Sequence, residues 1–139
     1  MPGYVAAVTI VRAWITAQPD LVGPGRPIAL GAFRQHPRSP GQGAYVLLSR
    51  IGRAADLVAE DVLDSPRISA SIYAGTDEAA ELAAVAYANA VTSLTGTPAA
   101  VDGHRFLVAD DVVGPLLVDN HDSDREQYQY LVDSSFYLQ

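Results

Sequence analysis

The sequence predicts an α+β fold, with one mostly antiparallel β-sheet packed on one face by two α-helices. Three observations carry that expectation. Within residues 65–94 the hydrophobic period switches from two to about 3.6 at Gly75, so a strand runs directly into a helix. Residues 127–138 alternate along their whole length. Strand-like segments outnumber helical ones, and those joined by short or hairpin-like connections should pair antiparallel.

Taken in chain order, the first element is a helix over residues 4–17. Val5, Val8, Val11 or Arg12, and Ile15 recur at helical spacing, Ala6, Ala7, Ile10, Ala13 and Trp14 widen the apolar stripe, and Pro19 closes it. Its valines and isoleucines have low intrinsic helix propensity, so packing must hold it. Residues 21–27 (LVGPGRP) form a turn-rich connection and residues 28–33 a short strand. Residues 34–43 (RQHPRSPGQG) have no periodicity and no apolar anchor, and read as a long exposed loop. Residues 44–51 are apolar enough for a buried strand, and 52–63 are ambiguous between loop and helical turn.

In the next strand Ile68, Ala70 and Ile72 alternate with Ser69, Ser71 and Tyr73. Thr76 can accept the orphan amides of the helix that follows, and Asp77 and Glu78 suit the positive end of its dipole. That helix is rich in small apolar residues, interrupted by Glu81, Tyr87 and Asn89, and is expected to be approachable from more than one side. After Gly96, residues 104–109 and 114–118 read as one strand or two, joined through the polar stretch 119–126 to the strand at 127–138. In that last strand Tyr128, Tyr130, Val132, Ser134, Phe136 and Leu138 share one face, and Gln127, Gln129, Leu131, Asp133, Ser135 and Tyr137 the other. The helix-free face, with Tyr73, Leu131 and Tyr137, is partly apolar and should be available to another surface.

A chain of 139 residues with 49% hydrophobic content reads as one domain, residues 1–139, able to bury a core without staples. The absence of cysteine excludes disulfides, thiolate metal sites and a cysteine nucleophile. All nine cations are arginines; against sixteen carboxylates the net charge is −7, which argues against clamping nucleic acid by phosphate neutralisation. It leaves room for a surface that DNA slides past. No apolar run reaches the roughly 18 residues of a membrane span, and the N-terminus lacks a basic region followed by an apolar core. A soluble intracellular product with no membrane partner is therefore expected.

Chemistry-bearing clusters are few. Asp119, His121, Asp122, Asp124 and Glu126 have metal-ligand chemistry. They lack the glycine of a calcium loop and the two-histidine spacing of a zinc helix, so a solvated hairpin tip is the better reading. Asp110 and Asp111 near His104 resemble an acid–base set, though charges that protect a strand end explain them more simply. His36, flanked by Arg34 and Arg38, is chemically suited to an anion, but a mobile loop that orders on a partner fits better. Trp14 reads as a core or interface anchor rather than a stacking platform. With no glycine-rich phosphate loop, serine elbow or paired-histidine motif, no catalytic, cofactor or metal residue is assigned.

Four segments, VRAWITAQPDLVG, AYVLLSRIG, SPRISASIYAGTDEAAELA and DREQYQYLVDSSFYL, occur in this order across most of the chain. In that pattern the chain resembles the tail terminator, or tail-completion, proteins of long-tailed bacteriophages and related phage-like particles. The resemblance implies a non-enzymatic virion protein at the head-proximal end of the tail, present in host cytoplasm during assembly. Such proteins form a ring, commonly a hexamer, that caps the tail tube, stops its polymerisation and offers a joining surface to the head connector. The implied partners are copies of itself, the tube protein and connector proteins, with DNA only as passing cargo and no cofactor. Arg34, His36, Arg38, Gln127, Gln129, Leu131 and Tyr137 are the residues expected at its contacts. An acidic balance also suits a channel from which duplex DNA must not be held back. Two other readings stay open: a head-to-tail connector or adaptor, and a small enzyme or ligand-binding domain using His104, Asp110 and His121.

Overall fold

The computed structural model describes residues 6–53, 66–95, 99–101, 104–118 and 128–138. The elements are α1 (Ala7–Thr16), β1 (Gly31–Phe33), β2 (Tyr45–Arg53), β3 (Pro66–Ala74), α2 (Asp77–Ser93), β4 (Ala99–Val101), β5 (His104–Val118) and β6 (Tyr128–Leu138). The strands form one six-stranded sheet in the order β1-β2-β3-β6-β5-β4. Only β1 and β2 pair in parallel; every other neighbouring pair is antiparallel. This is an α+β fold, and the expected class is correct.

Register explains the core. Val46, Ile72 and Tyr130 stand side by side on β2, β3 and β6, and Leu48, Ala70 and Val132 form the next rank. Ile68 pairs with Ser134 in the rank after that. These residues are buried in one cluster with Val8, Val11, Trp14 and Ile15 of α1 and Ala80, Ala83, Ala84, Tyr87 and Val91 of α2. Burying an Ile or Phe side chain in such a place contributes about 1.5–3 kcal/mol. The alanines of α2 let its axis approach the sheet, where it packs on β3, β5 and β6. α1 lies against β1 and β2 and also reaches β4, so a ten-residue helix ties the two sheet edges together.

The helix ends follow local chemistry. Thr76 Oγ1 accepts from the Ala79 amide at 3.1 Å, and Asp77 and Glu78 occupy the first turn of α2. At the end of α1, the Gln18 side chain donates to the Trp14 carbonyl at 3.0 Å, supplying a partner that a helix C-terminus otherwise lacks.

Several expectations need correction. The helix expected over 4–17 is described as Ala7–Thr16, residues 1–5 lying outside the described set. The strand expected over 28–33 shrinks to Gly31–Phe33, because Ile28 turns away to bridge Val22. β5 is a single fifteen-residue strand, although its register shifts on either side of Val113. Gly114 makes that irregularity possible: its φ is +112°, and a Cβ there would run into the Leu131 carbonyl. β4 was not foreseen. Tyr87, read as an interruption of the apolar surface of α2, is fully buried.

Candidate functional site

One face of the sheet carries the helices, and the residues expected at contacts gather on the other. β6 turns Gln129, Leu131, Asp133, Ser135 and Tyr137 to this open face by strand alternation. Opposite them on β3 stand Tyr73, Ser71, Ser69 and Arg67, and beyond these Tyr45, Leu47 and Ser49 of β2. Cross-strand hydrogen bonds join two pairs of its polar side chains, Arg67 Nη1 donating to Ser135 Oγ at 3.0 Å and Gln129 Nε2 to Ser71 Oγ at 3.2 Å, whereas Asp133 Oδ1 is buried with no partner among the described residues. Leu131 is half-buried, and its β5 neighbour Leu116 is 56% exposed. The centre of the face is thus apolar, with a hydrogen-bonded polar frame.

One end of this face is closed by residues 34–43. Tyr45 and Tyr73 are register partners, and their rings stack with centroids 5.3 Å apart. The His36 ring stands edge-on to both, 5.0 Å from Tyr73 and 6.0 Å from Tyr45, with Nδ1 3.0 Å from the Tyr45 hydroxyl. Phe33 adds a further edge contact to Tyr45. Tyr45 is consequently only 1% exposed and Tyr73 8%. Tyr73 is therefore not part of the available face, contrary to the sequence reading. Nor does His36 stand as an anion ligand beside Arg34 and Arg38; it belongs to an aromatic stack.

The same contacts correct the idea of a loop without anchors. Arg34 Nη1 donates to Thr9 Oγ1 of α1 at 2.9 Å. The Gln42 side chain lies over Gly75, where any Cβ would overlap it, and the Gly75 amide donates to the Gln42 carbonyl at 3.4 Å. Residues 34–43 thereby connect α1, β2, β3 and the start of α2. A stacked Tyr pair joining the end of β3 to the start of β2 is a long-range feature, and local periodicity does not reveal it.

Of the residues expected at contacts, Gln129, Leu131 and Tyr137 share the open face. Arg34, His36 and Arg38 lie on the loop at its end, and Arg38 is exposed. Gln127 lies outside the described residues, as do Asp119, His121, Asp122, Asp124 and Glu126. The backbones of His104, Asp110 and Asp111 belong to β5, but their side chains are also outside the described set. Trp14 is a core residue, 5% exposed.

Two polar features stand elsewhere. The Tyr130 hydroxyl donates to Asp77 Oδ1 at 2.7 Å, with Glu81 Oε2 3.5 Å away, joining β6 to the first turns of α2. The Asp77 hydrogen bond, followed by burial and the two negative charges, pushes the Tyr130 phenol up to about 12. Tyr87's hydroxyl lies beside Ser134's, yet neither has a hydrogen-bond partner among the described residues. Burial moves that phenol upward too. A shallow hollow of about 450 Å³ runs along α1, lined by Thr9, Arg12, Ala13, Thr16 and Ala17. Its guanidinium is already engaged, Arg12 Nε donating to the Ala32 carbonyl at 2.7 Å. Among the described residues, no three His, Cys, Asp or Glu side chains come together to hold a metal ion. No described helix is long and apolar enough to cross a membrane.

The fold and this surface define an α+β protein whose sheet, among the described residues, is covered by helices on one side and carries none on the other. No family model matches the chain, and no curated protein matches it.

Proposed function

We propose that the chain is a structural virion protein that closes the head-proximal end of a phage tail tube as a ring, of six subunits, stopping tube growth and offering a surface to the head connector. The observation that best supports this reading is the gathering of Gln129, Leu131 and Tyr137 on one helix-free sheet face, bordered by His36 over the Tyr45–Tyr73 stack. A face with a half-buried apolar centre and a fixed polar frame is built as a protein–protein contact is: an apolar core with a hydrogen-bonding rim. The role is non-enzymatic, with the tube protein, connector proteins and copies of the chain as partners.

The reading is tested by removing the protein from the cell that makes the particles and examining tails by electron microscopy. Loss should leave overlong or headless tails with otherwise normal tube structure. Tails of normal length that fail only to join heads would reassign the protein to the connector. Normal tails joined to heads would end both assembly readings.

A further inference from the structure

The charges of this chain are strongly segregated. Residues 1–55 hold six of the nine arginines and one of the sixteen carboxylates, a net charge of +5; residues 56–139 hold three arginines against fifteen carboxylates, a net charge of −12. Among the described residues, four of these arginines and three of the carboxylates lie over different halves of the sheet. Arg12, Arg26, Arg34 and Arg38 are all exposed and all border β1, the strand at one edge of the sheet. Arg12 bonds the Ala32 carbonyl of β1, Arg26 lies in the turn that precedes it, and Arg34 and Arg38 follow it. Leu30, 40% exposed, immediately precedes β1, its side chain lying against Gly43. α2, over the opposite half of the sheet, exposes Asp77, Glu78 and Glu81 and carries no basic residue in its last turn. Two apolar side chains stand beside those acids, Leu82 at 57% and Val85 at 41% exposure. Among the described residues, none of these four arginines forms an ion pair with a carboxylate.

We infer that the basic rim around β1 of one subunit docks on the acidic outer face of α2 of a second copy, with Leu30 facing the Leu82–Val85 ridge. The occupant is another copy of this chain because each patch supplies what the other lacks: opposite net charge and a matching apolar knob. The two patches differ, so the contact is head-to-tail, the kind that repeats around a ring or along a filament rather than closing as a two-fold dimer. Unpaired charge of one sign on each surface also steers the encounter and rejects the wrong pairing of like faces. This inference rests on the ring reading above and adds to it which surfaces meet side by side, leaving the open sheet face for the tube or connector.

The test uses two charge-reversed forms of the full chain. One carries Arg26→Glu with Arg38→Glu, and the other Glu78→Arg with Glu81→Arg; circular dichroism and thermal melting verify that each is folded. Sedimentation of the wild type at high protein concentration and low salt should show self-association that weakens as salt shortens the screening length below about 10 Å. Each reversed form alone should associate about tenfold more weakly or worse. Mixing them should restore association, because the glutamates placed on the rim of the first form can then meet the arginines placed on α2 of the second, while the acidic α2 of the first still meets the basic rim of the second. Association by either form alone at wild-type strength, no recovery on mixing, or a monomeric wild type would overturn the inference. The tail-morphology result stands independently: a terminator phenotype combined with failure of this charge swap removes the proposed interface and leaves the ring.

Discussion

The two faces of the sheet are built from the same strands, yet they hold their residues in place by different means. On the helix-covered face, Ile68, Ala70, Ile72, Val46, Leu48, Val132 and Phe136 are excluded from water by α1 and α2, and their positions follow from alternation alone. On the open face, order comes from hydrogen bonds between neighbouring strands and from one aromatic stack that residues 34–43 cover. The first arrangement stabilises the fold, and the second leaves an apolar centre, with Leu131 half-buried and Leu116 exposed, on the surface of the described residues. A substitution should therefore cost stability on one face and association on the other.

The largest effect is expected at the middle of the covered face. Ile72, flanked by Val46 and Tyr130 and fully buried, should not tolerate an unpaired charge. Ile72→Asp is expected to cost more than about 4 kcal/mol and to unfold the chain, and a soluble variant with an unchanged thermal midpoint would contradict the placement. Next comes the one part of the open face that behaves like core. Tyr73→Ala removes the stack with Tyr45 and the support of His36, with an expected loss of about 2–4 kcal/mol. Limited proteolysis should then cut within residues 34–43 sooner than in the wild type. Equal cutting rates would mean that the stack does not hold the loop.

Smaller effects concern the phenols beneath α2. Tyr130 has its phenol raised from the ordinary value of 10.0 to about 12 in the folded chain, chiefly by donating to Asp77. The folded state thus favours the protonated form, and the resulting stability is fully present below pH 10 and lost as the pH rises through 12. Urea midpoints measured across that range should fall for the wild type and fall less steeply for Tyr130→Phe; parallel curves would show that the Asp77 contact contributes nothing. Smallest of all should be Tyr87→Phe. It deletes a buried hydroxyl that has no partner among the described residues, so stability is expected to change by less than about 1 kcal/mol or to rise. A loss of 2 kcal/mol or more, on the scale of a satisfied buried bond, would mean that Tyr87 and Ser134 bond after all.

The covered face was far more legible in the sequence than the open one. Alternation at Ile68, Ala70 and Ile72, the period switch at Gly75 and the cap at Thr76 are local signals, and each marks the element found there. Strand alternation likewise separates Tyr130, Val132, Ser134 and Phe136 of β6, all buried, from Gln129, Leu131 and Asp133 on the opposite face. β4 escaped notice because three small residues, Ala99, Ala100 and Val101, are too few to display a period. Tyr87 was misplaced because an aromatic among alanines looks like a break in a small-residue surface, whereas the alanines leave the space that its ring fills. The burial of Tyr73 depends on His36 and Tyr45, residues more than twenty-five positions away, and no local window contains those contacts. The charge segregation between residues 1–55 and 56–139 is plain in the sequence, but it takes on spatial meaning only once β1 and α2 are seen over different parts of the sheet.

The claim that the open face serves assembly is tested most directly by Leu131→Arg. Leu131 is half-buried at the centre of that face, and a long side chain there can reach water along its stem. The purified variant should keep its thermal midpoint within a few degrees of the wild type. Supplied to particle-producing cells that lack the wild-type protein, it should fail to restore tails of normal length joined to heads. Full restoration by a folded Leu131→Arg protein would contradict the account.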